Sequence, residues 1–223
     1  MIRARSSLPL GGPTDFSYTH RLKEIGMFFQ GTDPVHQTMR RLARRLQRAG
    51  IAYAVVGGMA VNAHHHRRTT ADVDFLLTAT GFHDFRRRFV SRSYTPVPDR
   101  PLRFVDRKSQ VTIDFLITGM FPGSGDPGPI AYPDPAAAGE TVDRIVVLNL
   151  VQLIELKLAA RRLKDFADVV ELIRSNALTA AFVDNLHPSV RGDFLHCLDE
   201  REREDLYDAR RKPPEEPRQG KYR

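Results

Sequence analysis

Two aspartates alternate with apolar residues in a stretch that has the pattern of a β-strand. In residues 71–77, Asp72 and Asp74 alternate with Val73 and Phe75. Successive side chains of a strand point to opposite faces, so the pattern predicts two carboxylates on one face and apolar residues on the other. Because an unpaired buried charge is very costly, the two acids must face water, a cation or a partner.

Asp114 repeats this design in a second stretch. It stands between Ile113 and Phe115 within residues 110–117, on the face opposite to these apolar neighbours. If this strand lies in register beside the first, three carboxylates converge. Such hard oxygen ligands suit Mg²⁺, with Mn²⁺ as the alternative ion, and a metal held in this way would promote in-line displacement at phosphorus.

A glycine pair stands upstream of the first acidic strand. Gly57 and Gly58 follow the apolar stretch 51–56, which predicts a buried strand, and they precede a short helix. In that position their backbone N–H groups could approach a phosphate. A lone Gly-Gly is most often a tight turn. The pair is more specific here because Arg68-x-Thr70 follows it directly ahead of the acids.

Two separated motifs carry a family resemblance. Residues 57–75 resemble the signature of the polymerase β-like nucleotidyltransferase superfamily, in particular its small prokaryotic members, which include minimal nucleotidyltransferases and AbiE-type toxins. Residues 153–169 resemble the Lys…Arg-x-Lys-Asp-x-x-Asp helical motif of the same proteins, and the likeness spans about residues 35–175. The sequence departs from the family at His64 to His66, where a small residue is more common. We expect a polar helix end near the nucleotide there, because adjacent helical residues point in different directions and do not form a joint metal site.

The resemblance implies a role for each matched residue. The metal ligands and catalytic residues would be Asp72, Asp74 and Asp114, and the last of these would also activate the acceptor hydroxyl. Six further residues would contact the nucleotide or shape the loop before the catalytic strand: Gly57, Gly58, Arg68, Thr70, Lys157 and Asp165. In this scheme Lys157 contacts the triphosphate and Asp165 orients it or the substrate. Spacing alone indicates something plainer, because residues eight apart on an unbroken helix form an exposed ion pair of little energetic value.

The elements that position these residues follow in the order helix, strand, helix, strand, helix, hairpin, strand, helices. This order predicts an α+β fold: a mixed β-sheet with helices on one face, the polymerase β-like core, plus C-terminal helices. The expected organisation has four parts. They are an N-terminal extension (1–32), a nucleotidyltransferase core (33–148), a C-terminal helical part that completes the nucleotide site (149–198), and a charged tail expected to be disordered (199–223).

The composition indicates the class of protein, its compartment and the charge of its partner. Of 223 residues, 41% are hydrophobic and 27% are charged, which is typical of a soluble globular protein, and no apolar run approaches the roughly 20 residues of a membrane helix. The single Cys197 favours a reducing cytoplasm. A net charge of +7 and the basic helices predicted over 34–49 and 82–92 favour an RNA or tRNA end as partner, although a charged helix face is more commonly just solvated.

The leading hypothesis is therefore a Mg²⁺-dependent nucleotidyltransferase. It would transfer a nucleoside monophosphate from an NTP such as ATP to a hydroxyl of RNA, a small molecule or a protein, and release pyrophosphate. Toxin-type relatives would add an antitoxin partner. One alternative is a glycosyltransferase that uses Asp72-Val-Asp74 as its Asp-x-Asp metal site. Another is a nucleotide-binding or toxin–antitoxin component without turnover.

Overall fold

The computed structural model describes residues 18–211, so the first part of the predicted N-terminal extension and the end of the charged tail lie outside the described residues. The helices of this part are α1 (Tyr18–Phe29), α2 (Pro34–Arg48), α3 (Gly57–Ala63), α4 (Ala79–Phe89), α5 (Pro135–Ala138), α6 (Leu150–Ala160), α7 (Leu163–Ser175) and α8 (Arg191–Arg211). The strands are β1 (Tyr53–Val56), β2 (Asp72–Leu77), β3 (Tyr94–Val97), β4 (Arg100–Asp106), β5 (Thr112–Ile117), β6 (Gly139–Val142) and β7 (Ile145–Leu148). Two short 3₁₀ helices, Ala180–Asn185 and Pro188–Val190, precede α8.

The seven strands form one mixed sheet in the order β3-β4-β5-β2-β1-β7-β6. The pairs β5/β2 and β2/β1 bring the two acidic strands to the centre. Strands β2 and β5 are parallel, with Asp74 opposite Asp114, and β1 runs antiparallel to β2, with Val56 opposite Asp74. The predicted α+β class with a mixed sheet is confirmed.

Both faces of the sheet are packed, but to different extents. On one face, α2 and α4 cover the sheet from β4 to β7, and their side chains Leu42 and Phe85 are fully buried there. On the other face, α6, α7 and α8 cover the half that contains β1 and β7, with Ile154 and Phe194 fully buried. The catalytic candidates project on this second face, where the helical cover ends.

The start of α2 shows how the sequence sets an element. Asp33 accepts hydrogen bonds from the backbone N–H groups of Val35 (2.8 Å) and His36 (3.2 Å), and Pro34 occupies the first turn. An Asp cap satisfies N–H groups that have no partner inside the helix, and Pro fits where no N–H bond is needed. The helix therefore begins where the Asp-Pro signal predicts it.

The structure also contains elements that the sequence pattern does not predict. Strands β3 and β6 lie at the two edges of the sheet, and β6 begins at the last residue of the predicted 119–139 loop. Each has four residues, and Pro96 or Gly139 interrupts its apolar alternation, which is how edge strands avoid further pairing. Helix α1 lies in the predicted extension, and α8 continues past residue 198 to Arg211.

Among the helices of residues 18–211, none combines the length and the apolar character that a bilayer crossing requires.

Candidate active site

The three aspartates of the acidic strands converge. Asp74 and Asp114 are directly opposite on neighbouring parallel strands, and Asp72 precedes Asp74 by one full pleat on the same face. One carboxylate oxygen from each residue lies within 4.8 Å of the others. All three are only partly buried, so solvent and a substrate can reach them.

This proximity changes the chemistry of the central acid. Burial, followed by repulsion from Asp72 and Asp114, raises the pKa of Asp74 from 3.8 to about 7. The more distant Lys157 and Lys164 lower it and only partly offset these effects. A carboxyl that ionises reluctantly beside two others gains most from a cation, because the cation relieves the repulsion that raised its pKa.

Each flanking acid already has a partner. The Thr70 hydroxyl donates to Asp72 Oδ1 over 2.7 Å, which fixes that carboxylate from the preceding loop. Arg103 on β4 donates from Nε and Nη2 to the two oxygens of Asp114, both over 2.7 Å. Arg103 faces Asp114 because the β4/β5 hairpin pairs these two residues. A cation that uses Asp114 must therefore share it with a guanidinium, and the several lone pairs of a carboxylate allow such sharing.

Gly57 is required by the central acid. Its φ is +61°, and a Cβ placed on it would lie 1.8 Å from Asp74 Oδ2. No side chain fits there while Asp74 keeps its position. Gly58 is less tightly enclosed, since its Cβ would meet the Thr70 side chain at 3.0 Å. The Gly-Gly pair therefore lets the start of α3 pass directly against the carboxylates.

Asn62 holds the loop that connects α3 to β2. Its side-chain amide donates to the carbonyls of Gly58 (2.9 Å) and Arg68 (2.8 Å), and its Oδ1 accepts from the Arg68 N–H. Of the three histidines, His64 forms the C-terminal end of α3, where it is buried and its Nε2 bonds to the Leu148 carbonyl at 2.8 Å. The helix ends at Ala63, so His64 turns into the space between α3 and β7.

Lys157 lies in a buried network rather than in an exposed pair. Its Nζ is 3.3 Å from Asp165 Oδ1 and 2.5 Å from Asp168 Oδ2. The helix is not continuous between them, since Arg161 has a left-handed φ of +53° and α7 starts anew at Leu163. This break folds α7 back against α6, so the interpretation from spacing alone is wrong and both acids reach one ammonium.

Two arginines extend the network at its ends. Arg68 pairs with Asp168 at 2.6 Å, and Arg162 pairs with Asp165 at 2.5 Å. The order Arg68, Asp168, Lys157, Asp165, Arg162 alternates in sign and has one net positive charge. The predicted nucleotide residues Arg68, Lys157 and Asp165 therefore belong to one connected cluster, although Arg68 reaches it only through Asp168.

A cavity of about 320 Å³ joins the acids to this network. The segment between β5 and α5 forms one wall with Pro122, Gly123 and Tyr132. The polar lining comes from β2, β5, α6, α7 and that segment, with Arg162 at the N-cap of α7: Asp74, Asp114, Tyr132, Lys157, Arg162 and Asp165. Carboxylates thus line one part of the cavity, and an ammonium and a guanidinium line another, which is the charge distribution that a metal–phosphate group requires.

The donor set fits a hard divalent cation. All three candidate ligands are carboxylates, which Mg²⁺ and Mn²⁺ prefer. Burial, and then repulsion from the other two acids, raises the pKa of Asp74, and a cation at the cluster would offset both effects. Asp72, Asp74 and Asp114 would hold the ion.

The basic helices lie elsewhere. α2 and α4 pack on the sheet face opposite to the carboxylates, and Arg44 and Arg87 project outward from that side. Arg41 is used internally, since its Nη2 lies 2.6 Å from Asp106 Oδ2. These helices therefore do not border the candidate site.

Several residues of the site are not among those predicted. Arg103 lies opposite Asp114 because the hairpin turn is Arg107 to Gln110. The predicted turn, Asp106 to Ser109, would instead place residue 103 opposite 112. Asp168 is present in the second motif, but its role depends on the helix break. Tyr132 has no sequence signal, since it lies in a long loop whose path only the fold determines.

Comparison with known proteins gives structural likeness alone. No protein-family profile matches the sequence, and no curated protein does. A crystal structure of an H. pylori protein provisionally named a nucleotidyltransferase is similar with a TM-score of 0.43 and 14% identity, over 79% of this chain and 81% of that one. ANT(2")-Ia, crystallised with adenylyl-2"-tobramycin, is similar with a TM-score of 0.47 and 10% identity, over 72% of this chain and 96% of that one. JHP933 from Helicobacter pylori gives 0.42 and 14%, over 79% of each chain. At these TM-scores and identities the likenesses transfer neither a family nor an activity to this chain.

Proposed function

We propose that this chain transfers a nucleoside monophosphate from an NTP to a hydroxyl acceptor. The observation that carries the proposal is the convergence of Asp72, Asp74 and Asp114, of which Asp74 and Asp114 line a cavity together with Lys157 and Arg162. Converging carboxylates can bind a metal ion, and nearby cationic side chains can bind phosphates. The site therefore suits a metal-bound polyphosphate as substrate. An exposed acidic patch without a function would not need the buried Lys157 network beside it.

The reaction forms one bond and breaks one. The acceptor oxygen bonds to the α-phosphorus, the bond from that phosphorus to the bridging oxygen breaks, and pyrophosphate leaves with the bonding electron pair. The proton of the acceptor hydroxyl passes to Asp114 or to water. A bound divalent cation would supply charge neutralisation at the phosphates and would lower the pKa of the attacking hydroxyl.

The side chains of the chain would divide this work. Asp72 and Asp74 would hold the cation that accompanies the triphosphate, and Asp114 would orient the acceptor hydroxyl. Lys157 would contact the phosphates as a compact ammonium, held in place by Asp165 and Asp168. Most of the rate enhancement would then come from positioning and from fixed charges.

The supporting groups would act through geometry. Gly57 and Gly58 would contact phosphate oxygens through their backbone N–H groups, as the resemblance implies, and their lack of side chains makes room for Asp74 and Thr70. Thr70 keeps Asp72 oriented. Arg68 would hold the loop against α7 through Asp168.

Four finer points rest on the sequence rather than on the site. Mg²⁺ as the ion and ATP as the NTP follow from the resemblance, as does a toxin–antitoxin role with an antitoxin partner. A cytoplasmic location follows from the single Cys197, which is buried and free. The acceptor would be an RNA end, a small molecule or a protein.

Incubation with each α-labelled NTP, Mg²⁺ and total RNA tests the proposal. Wild-type protein should release pyrophosphate and leave label on an acceptor, whereas Asp74→Asn and Asp114→Asn should reduce the label at least about 100-fold. Asp84→Asn, which removes a carboxylate from α4 on the other face, is the matched control and should transfer label normally. Equal label transfer by wild type and Asp74→Asn would refute the proposal.

A further inference from the structure

One half of the sheet face beside the acids has no helical cover in residues 18–211. Burial on this face falls from Leu76, which is fully buried, through the partly exposed Asp114 and Arg103 to the exposed Thr95. On the opposite face of the same strands Phe104 and Ile113 are almost completely buried. The uncovered surface therefore begins at the carboxylates and extends outward across β4 and β3.

We define the open face as Thr95, Arg103, Val105 and Arg107. Strand pairing places Thr95 opposite Val105 and Arg103 opposite Asp114, so these residues share the face of the carboxylates. The Arg107 Nε donates to Thr95 Oγ1 over 3.0 Å, which holds this guanidinium over the same surface. From the Asp114 strand to the Thr95 strand the open face measures roughly 10 Å, or two strand spacings.

We propose that the open face binds the acceptor, and that the acceptor is the end of a single phosphodiester strand. The inference rests on the proposed function, since it names the acceptor for the hydroxyl that Asp114 would orient. Phosphates of the last few nucleotides would lie on Arg107 and Arg103, and the terminal hydroxyl would reach the acids.

Charge supports a polyanion at this place. The carboxylate cluster repels anions, so an anionic acceptor needs cations immediately beside it. The side chains that continue the surface away from the cluster are arginines and neutral residues. Arg103 already neutralises Asp114 and keeps about 38% of its side chain exposed, and Arg107 is exposed as well. Both guanidiniums can therefore donate a hydrogen bond to a phosphate oxygen while they keep their present partners.

Shape argues against the other acceptor classes. A small molecule is normally enclosed by a cleft, but the cavity at Asp114 extends toward Lys157 and is lined by none of the four open-face residues. A protein partner would need roughly 800 Å² of surface with apolar anchors. The open face offers only the partly buried Val105 as an aliphatic contact, which suits a narrow strand better.

Binding of short labelled single-stranded RNA, with DNA of the same sequence as a second arm, tests this proposal without turnover. Fluorescence anisotropy over a series of salt concentrations gives the affinity and its salt dependence. Arg107→Ala should weaken binding roughly fivefold to tenfold and reduce the slope of log K against log salt by about 0.7, the value for one lost phosphate contact. The difference in affinity between the RNA and the DNA shows whether the protein distinguishes ribose from deoxyribose.

Arg44→Ala and Arg87→Ala are matched controls, because each removes one exposed arginine from α2 or α4 on the opposite face. Both should bind the strand as wild type does. Loss of affinity in these two variants with normal affinity in Arg107→Ala would overturn the proposal, and so would a wild-type protein that binds neither strand. Arg107→Ala should keep the melting temperature of wild type, which excludes unfolding as the cause of any loss.

A parallel measurement separates this inference from the proposed function. Stabilisation by ATP with Mn²⁺ reports nucleotide binding and should be the same in wild type and Arg107→Ala. Nucleotide binding combined with strand affinity that does not depend on Arg107 overturns the acceptor inference alone. Strand affinity that depends on Arg107 in a protein that binds no NTP supports the open face and contradicts the proposed function.

Discussion

Gly57 and Asp74 make the tightest packing requirement of the site, and Gly57→Ala tests it. The added Cβ would lie 1.8 Å from Asp74 Oδ2 and would also meet a φ of +61°, which costs an alanine roughly 1–2 kcal/mol. Asp74 must move, so we expect Mn²⁺ affinity to fall at least about tenfold, as measured by calorimetric titration. Gly50→Ala separates the two effects, because Gly50 has a φ of +69° with open space around it. It should lose similar stability and bind Mn²⁺ normally, and equal loss of Mn²⁺ affinity in both variants would contradict this explanation.

Asp74 should also make cation binding depend on pH. Its pKa rises from 3.8 to about 7 in the folded chain, chiefly through burial and then through Asp72 and Asp114. Between these values the folded state keeps a proton that the unfolded state has lost, so raising the pH across this window removes stability from the ion-free protein. A cation binds the ionised carboxylate and reverses that loss.

Melting temperatures with and without Mn²⁺ measure this dependence. The increase caused by Mn²⁺ should be larger near pH 8 than near pH 6, by about 3 °C or more. Asp74→Asn cannot ionise and should show an increase that is small and independent of pH, whereas Asp84→Asn should behave as wild type. A Mn²⁺ effect of equal size at both pH values in wild type would show that Asp74 does not titrate in this range.

The junction of α6 and α7 shows how two elements share one charge network. Asp168 accepts from the buried Lys157 Nζ over 2.5 Å and from Arg68 Nη2 over 3.0 Å, so it connects α7 to α6 and to the loop before β2. Asp168→Asn leaves a buried ammonium short of negative charge. We expect a loss of about 3 kcal/mol in the free energy of unfolding, measured by urea denaturation.

Asp193→Asn is the control for this junction. Its partner Arg161 has a side chain that is 69% exposed, so removal of the pair should change the free energy of unfolding by less than about 1 kcal/mol. Similar losses in the two variants would mean that the buried network contributes no more than a surface pair.

What the sequence could predict depends on whether a signal is local. The strands with the acids were predictable because alternation and apolar content are read within six or seven residues, and the convergence of Asp72, Asp74 and Asp114 followed from one assumption about register. Edge strands β3 and β6 carry little alternation, so they could not be predicted in this way. The burial of Lys157 depends on a single left-handed residue, Arg161. Because this residue is not a glycine, the sequence gives no sign of the turn.

The two faces of the sheet determine how the parts of the chain depend on one another. Helices α2 and α4 bury one face within residues 33–148, but most of the cluster that buries the other face is supplied by α6 to α8. Leu76 and Leu148 on that face are fully buried against Ile154 and its neighbours. We propose that the predicted core and the C-terminal helical part form one cooperative unit rather than two domains.

Truncation tests this dependence. A chain of residues 1–148 should show no cooperative urea transition, because the apolar face under α6 to α8 would meet water, at about 25 cal/mol for each Å² exposed. A chain of residues 1–206 is the matched control. The described residues it removes, 207–211, are all exposed, so its free energy of unfolding should stay within about 1 kcal/mol of the full chain. Cooperative unfolding of the 1–148 chain would instead make the sheet an independent domain. Lys157 and Asp165 would then reach the acids across a domain interface, and the cavity could open and close as the two domains move.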